Sequence, residues 1–204
     1  MSISELAPRL FAWNAPHPDW RPECGEGDDG WEQSVGCVMY DLGESAVLFD
    51  PLIPAPERDS FLRALDERVA GRPVSILTTI RWHRRDRAEL AARYRSNTTR
   101  AWNAVPKDVL LRPLRGASET TYWLPGAAAL VVGDSVICAP GGELRVSPES
   151  WLEQIPARTN RAGPAELLGP LLELPIERVL VSHGEPVLRD GRASLARAIA
   201  QVRA

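Results

Sequence analysis

The sequence predicts a mixed-sheet α/β protein. Three observations point there. Short apolar, β-branched runs alternate with stretches whose apolar residues recur at helical spacing. Ser34 to Asp50, SVGCVMYDLGESAVLFD, holds two such runs separated by Gly43-Glu44-Ser45, the pattern of an antiparallel hairpin. Several apolar runs end in a polar side chain, at Asp50, Asp134 and His183, as strands do when they open into a cleft. Hairpins added to strand-helix alternation give sheets of mixed direction.

The elements follow in order. Residues up to about Gly30 read as a loop, because APHPDWRPECGEGDDG crowds Pro, Gly and Asp between and beyond Trp13 and Trp20, and a flap over the body is expected. Pro56 to Ala70 places Phe61, Leu62, Leu65 and Val69 on one helical face, with Gly71 as the C-terminal cap. PVSILTT is a buried strand, RWHRRD a loop, and RAELAARYRS a helix for which Asp86 is a natural N-cap. After a strand at Asp108 to Leu114, TTYWL and AALVVGDSVI flank Pro125-Gly126, and the acid Asp134 echoes the end of VLFDP, suggesting two similar halves. Glu149 to Gln154 and Pro164 to Leu174 have helical character, ERVLVSHG is a strand running into a polar turn, and Ala193, Leu195, Ile199 and Val202 mark a closing helix.

Composition bounds the function. With 204 residues, 44% of them hydrophobic, the chain suffices for one domain spanning residues 1–204 that buries roughly 70% of its unfolded surface, residues 1–30 forming the flap. No run approaches a membrane span, and MSISELAPRLFAW lacks the basic start and apolar stretch of a secretory signal, so a cytoplasmic protein without membrane partners is expected. A formal charge of −3, with Lys107 the only lysine, gives no basic field for nucleic acid. Cys24, Cys37 and Cys138 are widely spaced and read as reduced thiols. The three histidines, His17, His83 and His183, limit any metal chemistry to few nitrogen ligands.

Asp50 in VLFDP, the TTIRWHRRD loop, Gly133-Asp134 and His183-Gly184 in VLVSHGEPV stand in an order that resembles the metallo-β-lactamase superfamily, over about residues 34 to 190. The resemblance implies an αββα sandwich of two similar halves and metal-dependent hydrolysis. Residue by residue it assigns Asp86 to the loop aspartate, Asp134 to the bridging-type aspartate and His183 to the C-terminal histidine. Trp82, Arg84 and Arg87 stand where the family has its three loop histidines, and His83 falls one place off. No histidine lies between His83 and His183.

On this reading His83, Asp86, Asp134 and His183 offer two nitrogens and two oxygens, enough for one zinc or other divalent ion. Asp86 and His83 would also be the catalytic pair, His83 as ligand or proton carrier. Arg84 and Arg87 repel an ion and suit an anionic group, or they reach between Asp86 and Asp134 to neutralise both. Substoichiometric zinc, or none, is therefore expected in purified protein. The implied activity is hydrolysis of a small ester, thioester or lactone with at most one metal. The alternative is a catalytically inactive protein of this fold that binds an anionic small molecule or a protein partner. Simpler roles stand beside each assignment: Asp86 as a helix cap, His183 hydrogen-bonded to a carbonyl, Asp134 paired with an arginine, Asp50 structural, and His17 packed in a flap that can overhang the cleft.

Overall fold

The computed structural model describes residues 2–27, 30–96, 105–139, 142–148, 151 and 163–203. Period-two apolar runs build a five-stranded sheet in the order β1 (Ser4–Ala7), β2 (Leu10–Pro16), β3 (Ser34–Asp41), β4 (Ala46–Phe49), β5 (Val74–Leu77). Its neighbours are antiparallel except β4 and β5, which are parallel because helix α1 (Arg58–Val69) connects them. A four-stranded sheet runs β11 (Arg178–Leu180), β8 (Ala129–Val131), β7 (Glu119–Leu124), β6 (Leu110–Leu114), again with one parallel pair, β8 and β11. β9 (Val136–Cys138) and β10 (Leu144–Val146) form a separate antiparallel pair. Helices α2 (Arg87–Tyr94), α3 (Pro164–Leu168) and α4 (Gly191–Arg203) complete the elements.

The layers follow from which face each strand residue buries. Val47 and Phe49 of β4 meet Tyr122 and Leu124 of β7, Val131 of β8 and Leu180 of β11 between the two sheets. Ala46 and Leu48, on the opposite face, pack with Phe61, Leu62 and Leu65 of α1 and Leu90 of α2. On the far side, Trp123, Leu130 and Val179 pack with Leu168 of α3 and Leu195 and Ile199 of α4. Helix, sheet, sheet, helix is thus the layer order, and the expected αββα sandwich is observed. No helix among the described residues is long and apolar enough to cross a membrane.

The structure differs from expectation in four places. Residues 4–16 form a hairpin, not a loop: Phe11, Trp13 and Ala15 face the α1 side while Leu10 enters the inter-sheet layer, a strand alternation closed by Arg9 in the left-handed region (φ 69°). AALVVGDSVI is two strands, β8 and β9, broken at Gly133-Asp134. After α3 the chain tightens into a 3-10 turn over Gly169–Glu173, where Pro170 supplies no backbone N–H. The α1 cap falls on Ala70 (φ 50°), whose N–H reaches Asp66 O at 2.8 Å, one residue before Gly71. The helix expected at Glu149 to Gln154 lies outside the described residues apart from Trp151.

Two close backbone approaches bring the far segments together. Gly36 N–H donates to Ser182 O at 2.8 Å, Val35 and His183 form an isolated β-bridge, and a Cβ on Gly36 would stand 2.5 Å from Val181 O. Gly184, at φ +84°, would drive its Cβ into the backbone oxygen of Cys138. Both contacts are with backbone, so neither can give way cheaply. Gly36→Ala is expected to destabilise the protein by about 1–3 kcal/mol, and Gly184→Ala, strained in both φ and space, by more; urea unfolding midpoints of the two variants check the order.

Candidate functional site

The site lies where strands of both sheets end. β4 ends in Asp50, which sits in the left-handed region (φ 47°) and turns its carboxylate into the protein. Oδ1 accepts from Thr79 N at 2.8 Å and Oδ2 from Thr79 Oγ1 at 2.5 Å. Just past Thr79 the chain winds into a 3-10 turn, Arg81–Arg84, in which successive side chains point about a third of a revolution apart. That turn sends His83 inward and leaves Arg84 exposed.

His83 is held at both ring nitrogens. Nδ1 lies 3.1 Å from Asp50 Oδ2 and 3.2 Å from Thr79 Oγ1. A carboxylate only accepts, so Nδ1 carries the proton and Nε2 faces the other way, 3.0 Å from Asp134 Oδ1. His183 brings its own Nε2 to 3.4 Å from the same oxygen. Both approaches are close, yet off the axis of a hydrogen bond, and Asp134 Oδ1 is a buried oxygen with no hydrogen bond among the described residues. Its partner Oδ2 accepts from the indole Nε1–H of Trp82 at 2.5 Å. Among the described residues, His83, Asp134 and His183 are the His, Cys, Asp or Glu group close enough to share one ion.

The charges explain one another. Burial would lower the His83 pKa, but Asp134 and then Asp50 outweigh it and raise it to about 9. Burial would raise Asp134, but the His83 charge beside it holds its carboxyl well below the usual carboxylate range. Glu119, wholly buried at the start of β7, is pushed up to about 7 by burial and then by the charge of Asp134. His17 is lowered by burial and by the charge of Arg85. Its ring meets Trp31 edge to face at 5.1 Å, and Trp31 in turn meets His183 at 5.1 Å. A cleft of about 440 Å³ opens beside His183, lined among others by Trp20, Trp31, Arg145 and Gly184.

Not every expected residue joins. Asp86 stands before α2, but its carboxylate makes no capping bond to that helix; Oδ2 accepts from Ile53 N at 2.6 Å, outside the three-residue cluster. Arg84 points to solvent, and the half-buried Arg87 lies 3.5 Å from Thr78 Oγ1, so the expected arginine between Asp86 and Asp134 is replaced by His83 against Asp134. The inward arginine is Arg85. Held at φ 39°, it donates to Gly36 O at 3.0 Å, Asp50 O at 2.8 Å and Ser182 Oγ at 2.7 Å, tying β3, the end of β4 and the His183 segment together. Trp82, Glu119 and Arg85 are absent from the expected site because each acts on a partner remote in sequence. A tryptophan at a loop-histidine position was the one available signal.

No family model matches the sequence, and no curated protein is found as a relative. Solved structures do match. The chain is similar to a metallo-beta-lactamase from Erythrobacter litoralis (TM-score 0.62, 14% identity, 98% of this chain and 91% of that one). It is also similar to a metallo-beta-lactamase family protein from Thermus thermophilus (0.54, 14%, 98% and 81%). A third match is the metallo-beta-lactamase FIM-1 from Pseudomonas aeruginosa in its mono-zinc form (0.58, 9%, 98% and 95%). At such identities the likeness is one of fold.

The raised His83 pKa fixes a pH dependence. Stability gained from the protonated ring is fully present below about 6.5 and is lost as pH rises through about 9. Chelator-treated protein should therefore lose on the order of 2–4 kcal/mol of unfolding free energy across that interval. Denaturant titrations at stepped pH check this, and His83→Gln should flatten the slope.

Proposed function

We propose that the chain is a hydrolase-like protein of metallo-β-lactamase fold whose site takes a single divalent ion, zinc first among them, on His83, Asp134 and His183, and that its substrates are small esters, thioesters or lactones. The observation that carries this is the convergence of two imidazole Nε2 atoms on one buried carboxylate oxygen that makes no hydrogen bond among the described residues. A buried polar atom left without a partner is costly, and a cation among these three atoms would satisfy it. Two nitrogens and one oxygen, with a further position open, match the donor count of catalytic zinc sites.

The surrounding residues suit that role. Asp50 and Thr79 hold His83 by Nδ1 and so present the lone pair of Nε2 inward, the arrangement that second-sphere carboxylates give metal-binding histidines. Trp82 occupies Asp134 Oδ2 with its N–H, which leaves one carboxylate oxygen and supports one ion per chain instead of two. When bound, such an ion acidifies water and polarises a carbonyl oxygen. Trp20 and Trp31 supply apolar walls for an acyl or ring portion of a substrate.

A second reading rests on His83 itself. As a cation it already neutralises Asp50 and Asp134, so the site is electrostatically complete with a proton in place of an ion, as suits an inactive protein that binds anions or a partner. Zinc titration separates the two. Calorimetry of chelator-treated protein should find one equivalent of zinc, lost in His183→Ala, together with hydrolysis of an ester, thioester or lactone panel that falls by at least about 100-fold in the same variant. No uptake supports the inactive reading, and two equivalents would show that Trp82 does not block a second ion.

A further inference from the structure

We infer that Glu119 is the positioning residue for the ligand set, an inference that rests on the one-ion reading above. Its carboxylate encloses the turn that carries Asp134: Oε1 accepts from Gly133 N at 2.8 Å, and Oε2 accepts from Ser135 N at 2.9 Å and Ser135 Oγ at 2.8 Å. The residues on both sides of Asp134 are thus fixed by one side chain, while Asp134 keeps its own carboxylate for His83, His183 and Trp82. The backbone of Glu119 holds the other partner. It forms an isolated β-bridge with Ile80, and the next residue, Thr120, donates its N–H to Thr79 O at 2.8 Å, immediately before the turn that carries His83.

Glu119 therefore sets the separation of His83 and Asp134 from both ends. Packing leaves it no alternative seat, since a Cβ on Gly133 would lie 2.8 Å from Thr79 Oγ1 and 2.9 Å from Glu119 Cδ. A backbone N–H donates to each Oε atom, with the Ser135 hydroxyl adding to Oε2, so an acceptor is required at both, which a carboxylate supplies and an amide does not. Glu119→Gln thus turns one of these contacts from donor-acceptor to donor-donor with almost no change of volume. The turn is then free to rotate Asp134 Oδ1 away from the two imidazoles.

Cobalt(II) is the probe, because its visible absorption reports the ligand geometry directly. Wild-type protein should bind one equivalent with an absorption band. Glu119→Gln should weaken binding about 10- to 100-fold, the usual cost of removing an outer-sphere partner, and change the band's shape. Ser135→Ala, which removes one of the three bonds, should weaken it by a smaller factor and decides the matter if Glu119→Gln does not fold. Leu65→Ala, a core truncation under α1, serves as the control for destabilisation alone and should leave affinity and band unchanged. If Glu119→Gln and Ser135→Ala bind cobalt as the wild type does, or lose no more than Leu65→Ala, this inference fails while the one-ion reading stands. A wild type that takes up no cobalt overturns both.

Discussion

Three carboxylates, Asp50, Glu119 and Asp134, are buried together at one end of the sandwich, and the need to solvate them with protein donors organises everything around them. A carboxylate taken out of water without partners costs several kcal/mol, so each has to find donors within the fold. Asp50 takes the amide and hydroxyl of Thr79, Glu119 the Gly133–Ser135 turn, and Asp134 the indole of Trp82. His83 stands between Asp50 and Asp134 and answers to both. Loops that look irregular in outline are therefore tied at Asp50 and Glu119 through both carboxylate oxygens and at Asp134 through Oδ2.

A second constraint is the narrow spacing of the two sheets at this end. β3 meets the segment after β11 through backbone at Gly36, and Arg85 closes the same seam with hydrogen bonds to Gly36 O, Asp50 O, Ser182 Oγ and the Cys37 sulfur. The guanidinium does not face Asp134, where it would compete with a cation. It is engaged by two carbonyl oxygens and a serine hydroxyl. Its backbone in the left-handed region, a conformation costing roughly 1–3 kcal/mol for a residue with a side chain, is sustained by those bonds. In this loop the arginine that ties the seam stands two residues after the histidine of the three-residue cluster.

Much of this was legible in the sequence. Period-two and helical spacings mark β3 to β8, α1, α2 and the closing helix, because burial on one or both faces imposes those periods. The N-terminal hairpin escaped, since its alternation occupies only Leu10 to Ala15 and runs directly into a Pro- and Gly-rich stretch. At the site, Asp134 and His183 were readable as polar side chains at strand ends, and His83 as a loop histidine one place off the family's pattern. Where Asp86 and Arg84 point was not readable, because one residue of tight 3-10 winding redirects every side chain after it. Trp82 stood out in the sequence as a tryptophan at a loop-histidine position, but the partners of Trp82 and Arg85 did not, since Trp82 bonds a residue 52 positions away and Arg85 one 97 positions away.

The bridge between Val35 and His183 also has a meaning in time. The first sheet, through β5, and the turn with His83 are complete in the first half of the chain, so the Asp50–His83 pair can form while much of the sequence is still being synthesised. His183 lies far along the chain, and with β11 paired beside β8 its bridge to Val35 closes a loop spanning most of the chain. Contacts of such sequence separation are paid for in chain entropy before they return anything. The histidine and the carboxylate that holds it thus come from one early stretch of chain, whereas the completed cluster requires a contact spanning most of its length.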